Sequence, residues 1–245
     1  MATFATVPAG LRIRSHEVDV RVLGCMLPVR VWSPAAGELP LLIVHDGPAY
    51  DARAKLARYA RGLMARGAVE PFRVALLPPG RRDEWYSASA SYGRSLCTRI
   101  IPAIADQLGV AGKPVGMGAS LGALAMLQAQ RAWPGTFGGL FLQSGSFFVP
   151  RFDRHESGFP RYGRIVRFVR GVLRATDHED PMSVTMTCGA REENVHNNRL
   201  MAAALAVQGY GVRLDEVRGG HNWAAWRGAF DPHLTGLLAE MWARR

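Results

Sequence analysis

Short apolar runs alternate along the chain with longer segments that place an apolar residue every three or four positions. That alternation predicts a mainly parallel sheet flanked by helices. Residues 18–23 and 29–32 carry every-second-residue patterns with Pro28 between them, and they predict an antiparallel start. The run at 39–44 (LPLLIV) is apolar throughout, as a strand covered on both faces requires, and it stops at His45-Asp46-Gly47-Pro48. Residues 51–66 place Leu56, Tyr59, Leu63 and Met64 at helical spacing. A further buried strand is predicted at 72–77, ended by Pro78-Pro79-Gly80. Residues 92–108 form a second amphipathic helix with Leu96, Ile100, Ile101, Ile104 and Leu108 on one stripe, ending at Gly109. Strands follow at 114–118, 138–143, 184–188 and 212–217, with helices at 120–131, 194–207 and 223–242. The count is about eight strands in one domain over residues 1–245.

Composition agrees with a folded domain: 48% hydrophobic and 20% charged residues, with a mean hydropathy of -0.02, exclude a largely disordered chain. Charge is the unusual feature. The chain has 30 basic and 20 acidic residues, and every basic residue except Lys55 and Lys113 is arginine. The net charge of +10 raises nucleic acid, anionic lipid and anionic substrates as partners. Three unevenly spaced cysteines suggest neither a disulfide framework nor a zinc site. Residues 1–20 lack the features of a signal peptide, and no apolar run reaches membrane length, so a soluble, cytoplasmic protein is expected.

Chemistry concentrates at Gly118-Ala119-Ser120-Leu121-Gly122, a G-x-S-x-G between an apolar strand and a helix. A nucleophilic serine on such a turn needs small neighbours where strand and helix nearly touch, and the helix N-terminus faces it. A glycine turn with a capping serine would use the same residues. The serine needs a base, and in α/β-hydrolases the chain order is serine, acid, histidine. Of the seven histidines, His221 lies where that order puts the base, between the last strand and the last helix. Glu192 and Glu193 both stand in the loop after the strand ending at Cys188, and the sequence does not separate them. Asp177, Asp180 and Asp215 rank lower as the acid, because they lie within or before strands. For the oxyanion, the amide of Leu121 is one donor and the loop at Asp46-Gly47 supplies the other.

These residues resemble a family of serine esterases that includes enterochelin esterases, esterase D and the mycolyltransferase antigen 85 proteins. The similarity runs over residues 39–242. It rests on the apolar strand ending in Asp46-Gly47, on Arg82-Asp83-Glu84-Trp85-Tyr86, on the Ser120 pentapeptide, on Gln143-Ser144-Gly145-Ser146-Phe147, and on Gly219-Gly220-His221-Asn222-Trp223 with Trp226. The resemblance implies an α/β-hydrolase fold, with Ser120 as nucleophile, His221 as base and Glu192 as acid, three residues after Gly189. It implies no metal and no organic cofactor. Arg82, Trp85, Tyr86 and Trp223 are expected at the substrate. One departure stands out, because family members often draw the second oxyanion N–H from the residue after Asp-Gly, which here is Pro48 and has none.

Part of the basic excess is local. Residues 151–175 hold seven arginines against Asp153 and Glu156, a net of +5, and 161–174 read as an amphipathic basic helix within an insertion at about 150–178. Beside an active site, Arg164 and Arg167 are expected to recognise an anionic part of the substrate. The reading is therefore a serine carboxylic ester hydrolase acting on a small ester, anionic or siderophore-like. The alternatives are an acyltransferase on the same scaffold and a non-catalytic basic module for nucleic acid or anionic lipid. No nucleic-acid motif is present, so no nucleic acid is expected as a partner.

Overall fold

The computed structural model describes residues 13–242. Most of the stretch at 1–20 that was read for a targeting signal lies outside them. β1 (Arg14–Val22) and β2 (Cys25–Ser33) form the expected antiparallel hairpin, turning through Leu23 and Gly24 at positive φ of 47° and 84°. Pro28 lies inside β2 rather than between the strands. Counting from the turn, it is a non-hydrogen-bonded partner of Asp19, so its missing N–H faces the far side, where the sheet pairs only with Arg30–Trp32.

β3 (Leu41–Val44) leads into α1 (Gly47–Ala54) and α2 (Leu56–Ala65). β4 (Arg73–Leu76) leads into α3 (Arg82–Trp85), α4 (Ala90–Ser95) and α5 (Ile101–Leu108), the last two joined by a π-helical turn at Leu96–Ile100. β5 (Val115–Ala119) is followed by α6 (Leu121–Ala132), and β6 (Gly139–Gln143) by a 3-10 turn at Arg154–Gly158 and α7 (Tyr162–Arg174). β7 (Ser183–Gly189) precedes α8 (Val195–Val207), and β8 (Gly211–Val217) precedes α9 (Trp223–Gly228) and α10 (Thr235–Met241).

The eight strands make one sheet in the order β1-β2-β4-β3-β5-β6-β7-β8, parallel from β4 to β8. β3, β4, β5 and β6 are buried along their whole length, which is why their sequences do not alternate. Period two still divides β3 between the faces. Leu41 and Ile43 join the core under α4 to α8, whereas Leu42 and Val44 join the core under α1, α2 and the C-terminal helices.

Three predicted helices differ in detail. The one expected at 51–66 starts at Gly47, with Pro48 in its first turn, and breaks at Lys55, whose φ is 58°. The helix at 92–108 starts at Ala90, capped by Ser89, and its π-helical turn precedes Pro102, which has no N–H for the regular ladder. The helix at 223–242 breaks at Asp231 (φ −115°, ψ 123°), because the residue before Pro232 is driven to extended geometry. Among the described residues no helix is long and apolar enough to cross a membrane.

Candidate active site

Ser120 sits between β5 and α6 with φ 56° and ψ −124°, backbone values that an L-residue adopts only under constraint. The constraint comes from both sides. Its amide donates to Gln143 O at 2.9 Å and its carbonyl accepts from the Ser146 amide at 3.2 Å. Gly118 and Gly122 allow the close approach: a Cβ on Gly118 would stand 2.4 Å from the Gly122 carbonyl carbon. The Ser120 hydroxyl lies 3.0 Å from the Ser146 hydroxyl and faces a cleft of about 550 Å³.

His221 and Glu192 line the same cleft. The Glu192 Oε2 accepts from His221 Nδ1 at 2.8 Å, and since a carboxylate only accepts, Nδ1 carries the proton and Nε2 is left as the basic nitrogen. Glu192 Oε1 accepts from the Gly189 amide and from the Ser144 hydroxyl, each at 2.8 Å. Burial pushes the Glu192 carboxyl up, but the hydrogen bonds from His221, Gly189 and Ser144 outweigh it and hold the group below its ordinary value. The carboxylate is 2% exposed and the imidazole 43%, so Glu192 is enclosed while the His221 ring reaches the cleft. Glu193, its neighbour, also lines the cleft but pairs with His155 at 3.1 Å rather than with His221. Asp180 is taken by the Gly135 amide at 2.7 Å and Asp215 by His233 at 3.1 Å.

The oxyanion expectation needs correction. Leu121 is the first residue of α6, where an amide has no intrahelical partner, and it lines the cleft. Gly47, however, donates its amide to Leu77 O at 2.9 Å, and its Cβ position is closed off by Leu76. Its N–H is used in joining β3 to β4. The Asp46 amide is directed at the Tyr86 hydroxyl, 3.3 Å away, and Asp46 and Gly47 do not line the cleft.

Five of the six expected substrate residues are also placed elsewhere. Trp85 is buried and stacks on Tyr92, and Tyr86 is fully buried against His45. Trp223 packs edge-on against Tyr50 and Trp226. Arg164 is spent on Glu84 Oε1 at 2.8 Å and on Ser87 O at 2.6 Å, clamping α7 to α3, and neither it nor the exposed Arg167 lines the cleft. Arg82 does line it, with its guanidinium gripping Asp46 at 2.9 to 3.0 Å.

The arginine segment reaches the site through its start rather than its helix, since Phe148, Asp153, His155, Glu156 and Phe159 form one wall. Sequence reading passed over these residues and Ser146. For Ser146 a signal existed, its place in the Gln143-to-Phe147 motif. No periodicity marks the others, which lie in irregular chain. Among the described residues no group of three or more His, Cys, Asp or Glu side chains gathers as a metal site.

Comparison with known proteins places the chain. Residues 20–237 match the Esterase family, and the chain belongs to it. The iron(III) enterobactin esterase of Dickeya dadantii is 27% identical over 228 residues, 85% of this chain and 51% of that protein. The chain thus spans about half the length of the curated relatives it matches. The crystal structure of the Shigella flexneri enterobactin esterase with 2,3-di-hydroxy-N-benzoyl-serine superposes with a TM-score of 0.78 at 21% identity, covering 96% of this chain and 61% of that one. A fluorophosphonate-binding serine hydrolase of Staphylococcus aureus gives 0.68 at 13% identity over 95% of this chain and 99% of its own. These likenesses identify the α/β-hydrolase fold expected from the sequence.

Proposed function

We propose that this Esterase-family chain hydrolyses a small carboxylic ester through an acyl-serine intermediate on Ser120. The observation that carries the reading is the Glu192–His221 hydrogen bond of 2.8 Å, which sets the tautomer that leaves Nε2 free as a base in the cleft that the strained serine also lines. His221 Nε2 takes the Ser120 proton as Oγ attacks the ester carbonyl, and Glu192 stabilises the imidazolium. The Leu121 amide donates to the developing oxyanion. Collapse breaks the C–O bond, with the proton passing from His221 to the leaving alcohol. Water then attacks the acyl-serine, giving its proton to His221; collapse breaks the bond to Ser120 Oγ, which takes that proton from His221, and the carboxylic acid departs.

For the substrate, the cleft lining at Phe148 and Phe159 favours an aromatic group beside the ester, as in the 2,3-di-hydroxy-N-benzoyl-serine in whose presence the Shigella flexneri relative was crystallised. Recognition of an anionic group through α7 loses its support, because Arg164 is engaged with Glu84 and Ser87. The free thiols of Cys25, Cys97 and Cys188 fit a reducing, cytoplasmic setting.

The test is labelling of the purified protein by a fluorophosphonate probe, followed by an ester panel. Labelling of wild type, none of Ser120→Ala, and faster turnover of benzoyl than of acetyl esters is the expected result. An unlabelled wild-type protein that leaves every ester intact would overturn the reading.

A further inference from the structure

Ser144 has a positive φ of 47° and is buried just after β6. A non-glycine residue with that backbone needs a reason for being held there. Its amide donates to Thr187 O at 2.7 Å and its carbonyl accepts from Asn194 Nδ2 at 2.9 Å, so the neighbouring β7 and the chain before α8 fix it. The result is to aim its hydroxyl at Glu192. Two hydrogen bonds then run in a single direction, because their ends are chemically unambiguous. An indole N–H only donates and a carboxylate only accepts. Trp226 Nε1 therefore donates to Ser144 Oγ at 3.0 Å, and Ser144 Oγ donates to Glu192 Oε1 at 2.8 Å. The same Trp226 ring packs edge-on against the His221 ring, at 5.1 Å between centroids and 79° between planes.

We propose that Ser144 and Trp226 are positioning residues that jointly aim the Glu192–His221 pair, an inference that rests on the catalytic reading given above. Trp226 holds the imidazole by its edge-on ring contact and the carboxylate through Ser144, so the acid and base are registered to one side chain. Polarisation along Trp226 N–H, Ser144 O–H and the carboxylate strengthens the last hydrogen bond. Neither residue reaches the cleft, and neither touches a reacting atom.

Ser144→Gly separates this role from a structural one, because glycine removes the hydroxyl while relieving the φ of 47°. Loss of a hydrogen bond to a charged group predicts a fall in kcat of about 10- to 100-fold with KM within about twofold. The downfield proton resonance of His221 Nδ1–H should shift. The steepening of the acid limb of kcat/KM that reports Glu192 protonation should move to higher pH, since the carboxylate loses a donor. Trp226→Phe keeps the ring against His221 and loses the N–H. It should shift the same resonance and lower kcat by a smaller factor, about threefold to tenfold. It serves as the second test should Ser144→Gly not fold. An unmoved resonance and acid limb in the folded variants, with kcat within about twofold of wild type, overturns the proposal. Fluorophosphonate labelling of the wild type runs alongside. An unlabelled wild type overturns the Ser120 reading and this inference together, whereas a labelled wild type with unaltered variants overturns this inference alone.

Discussion

Glu192 meets His221 Nδ1 at 2.8 Å while Glu193, the next residue, turns its carboxylate to His155. Identical chemistry one position apart thus has different work. Glu192→Gln is expected to lower kcat by on the order of 10²- to 10⁴-fold, because the amide cannot stabilise an imidazolium. Glu193→Gln should change it by less than about twofold, as an exposed ion pair contributes little. Steady-state kinetics of the two purified variants on one ester checks the contrast.

The backbone of Ser120 supplies a second prediction. Ser120→Ala and Ser120→Gly should both abolish turnover, but they should not be equally stable. At φ 56° a Cβ is strained and glycine is not, so the glycine variant should exceed the alanine variant by about 1 kcal/mol in denaturant unfolding. Equal midpoints would show that the turn holds no strain.

Crowding between β5 and α6 gives a third. A Cβ at Gly118 meets the Gly122 carbonyl carbon at 2.4 Å, where only backbone can move, whereas one at Gly122 meets His45 Cβ at 3.1 Å. Gly118→Ala should destabilise by about 3 kcal/mol or more and Gly122→Ala by roughly half that, as overpacking against backbone costs more than against a side chain. Thermal unfolding of both variants measures the order.

His45 predicts a pH dependence of stability. Burial lowers its pKa to about 4, against raising effects from the Gly122 carbonyl and Asp46 and with a further lowering from Arg82. The ring is neutral, with Nδ1 donating to Gly122 O at 2.9 Å and Nε2 accepting from Tyr92 OH at 2.9 Å. The folded pKa lies below the unfolded value of 6.5, so the neutral form's contribution is complete above pH 6.5 and is lost as pH falls towards 4. The loss is on the order of 3 kcal/mol. His45→Gln cannot protonate, and its unfolding free energy should fall less between pH 7 and pH 4.5 than that of wild type. Parallel curves would refute the assignment.

The thiols give the last prediction. Burial, with the Glu192 charge nearby, raises Cys188 to about 12, burial raises Cys97 to about 11, and Cys25 is exposed. A thiol-specific reagent at pH 8 should modify Cys25 in the native protein and all three only after denaturation. Mass spectrometry of the labelled peptides decides it.

Much of the site was legible in the sequence because its signals are local. The apolar runs at 39–44 and 138–143 became the central strands β3 and β6, since a strand covered on both faces has no polar positions to place. Ser120 was marked by the glycines its turn requires, and His221 by the chain order of the α/β-hydrolases. Long-range partnership was not legible. Tyr86 and Trp85 look like cleft aromatics in a linear motif, but the fold buries them under His45 and Tyr92. Arg164 looks like a free cation on a basic helix, but Glu84, 80 residues away in the chain, claims it.

The sequence by itself predicted the order of strands and helices and the turn that carries Ser120, since each depends on residues within a few positions of one another, and it singled out His221 by chain order. Only the tertiary structure set Glu192 rather than Glu193 against His221 Nδ1, tied the Gly47 amide to Leu77, and joined Trp226 to Ser144 and Ser144 to Glu192. The reason is physical. A hydrogen bond fixes two atoms to within a few tenths of an ångström, and that is set by how β6, β7 and α9 pack, not by any spacing along the chain.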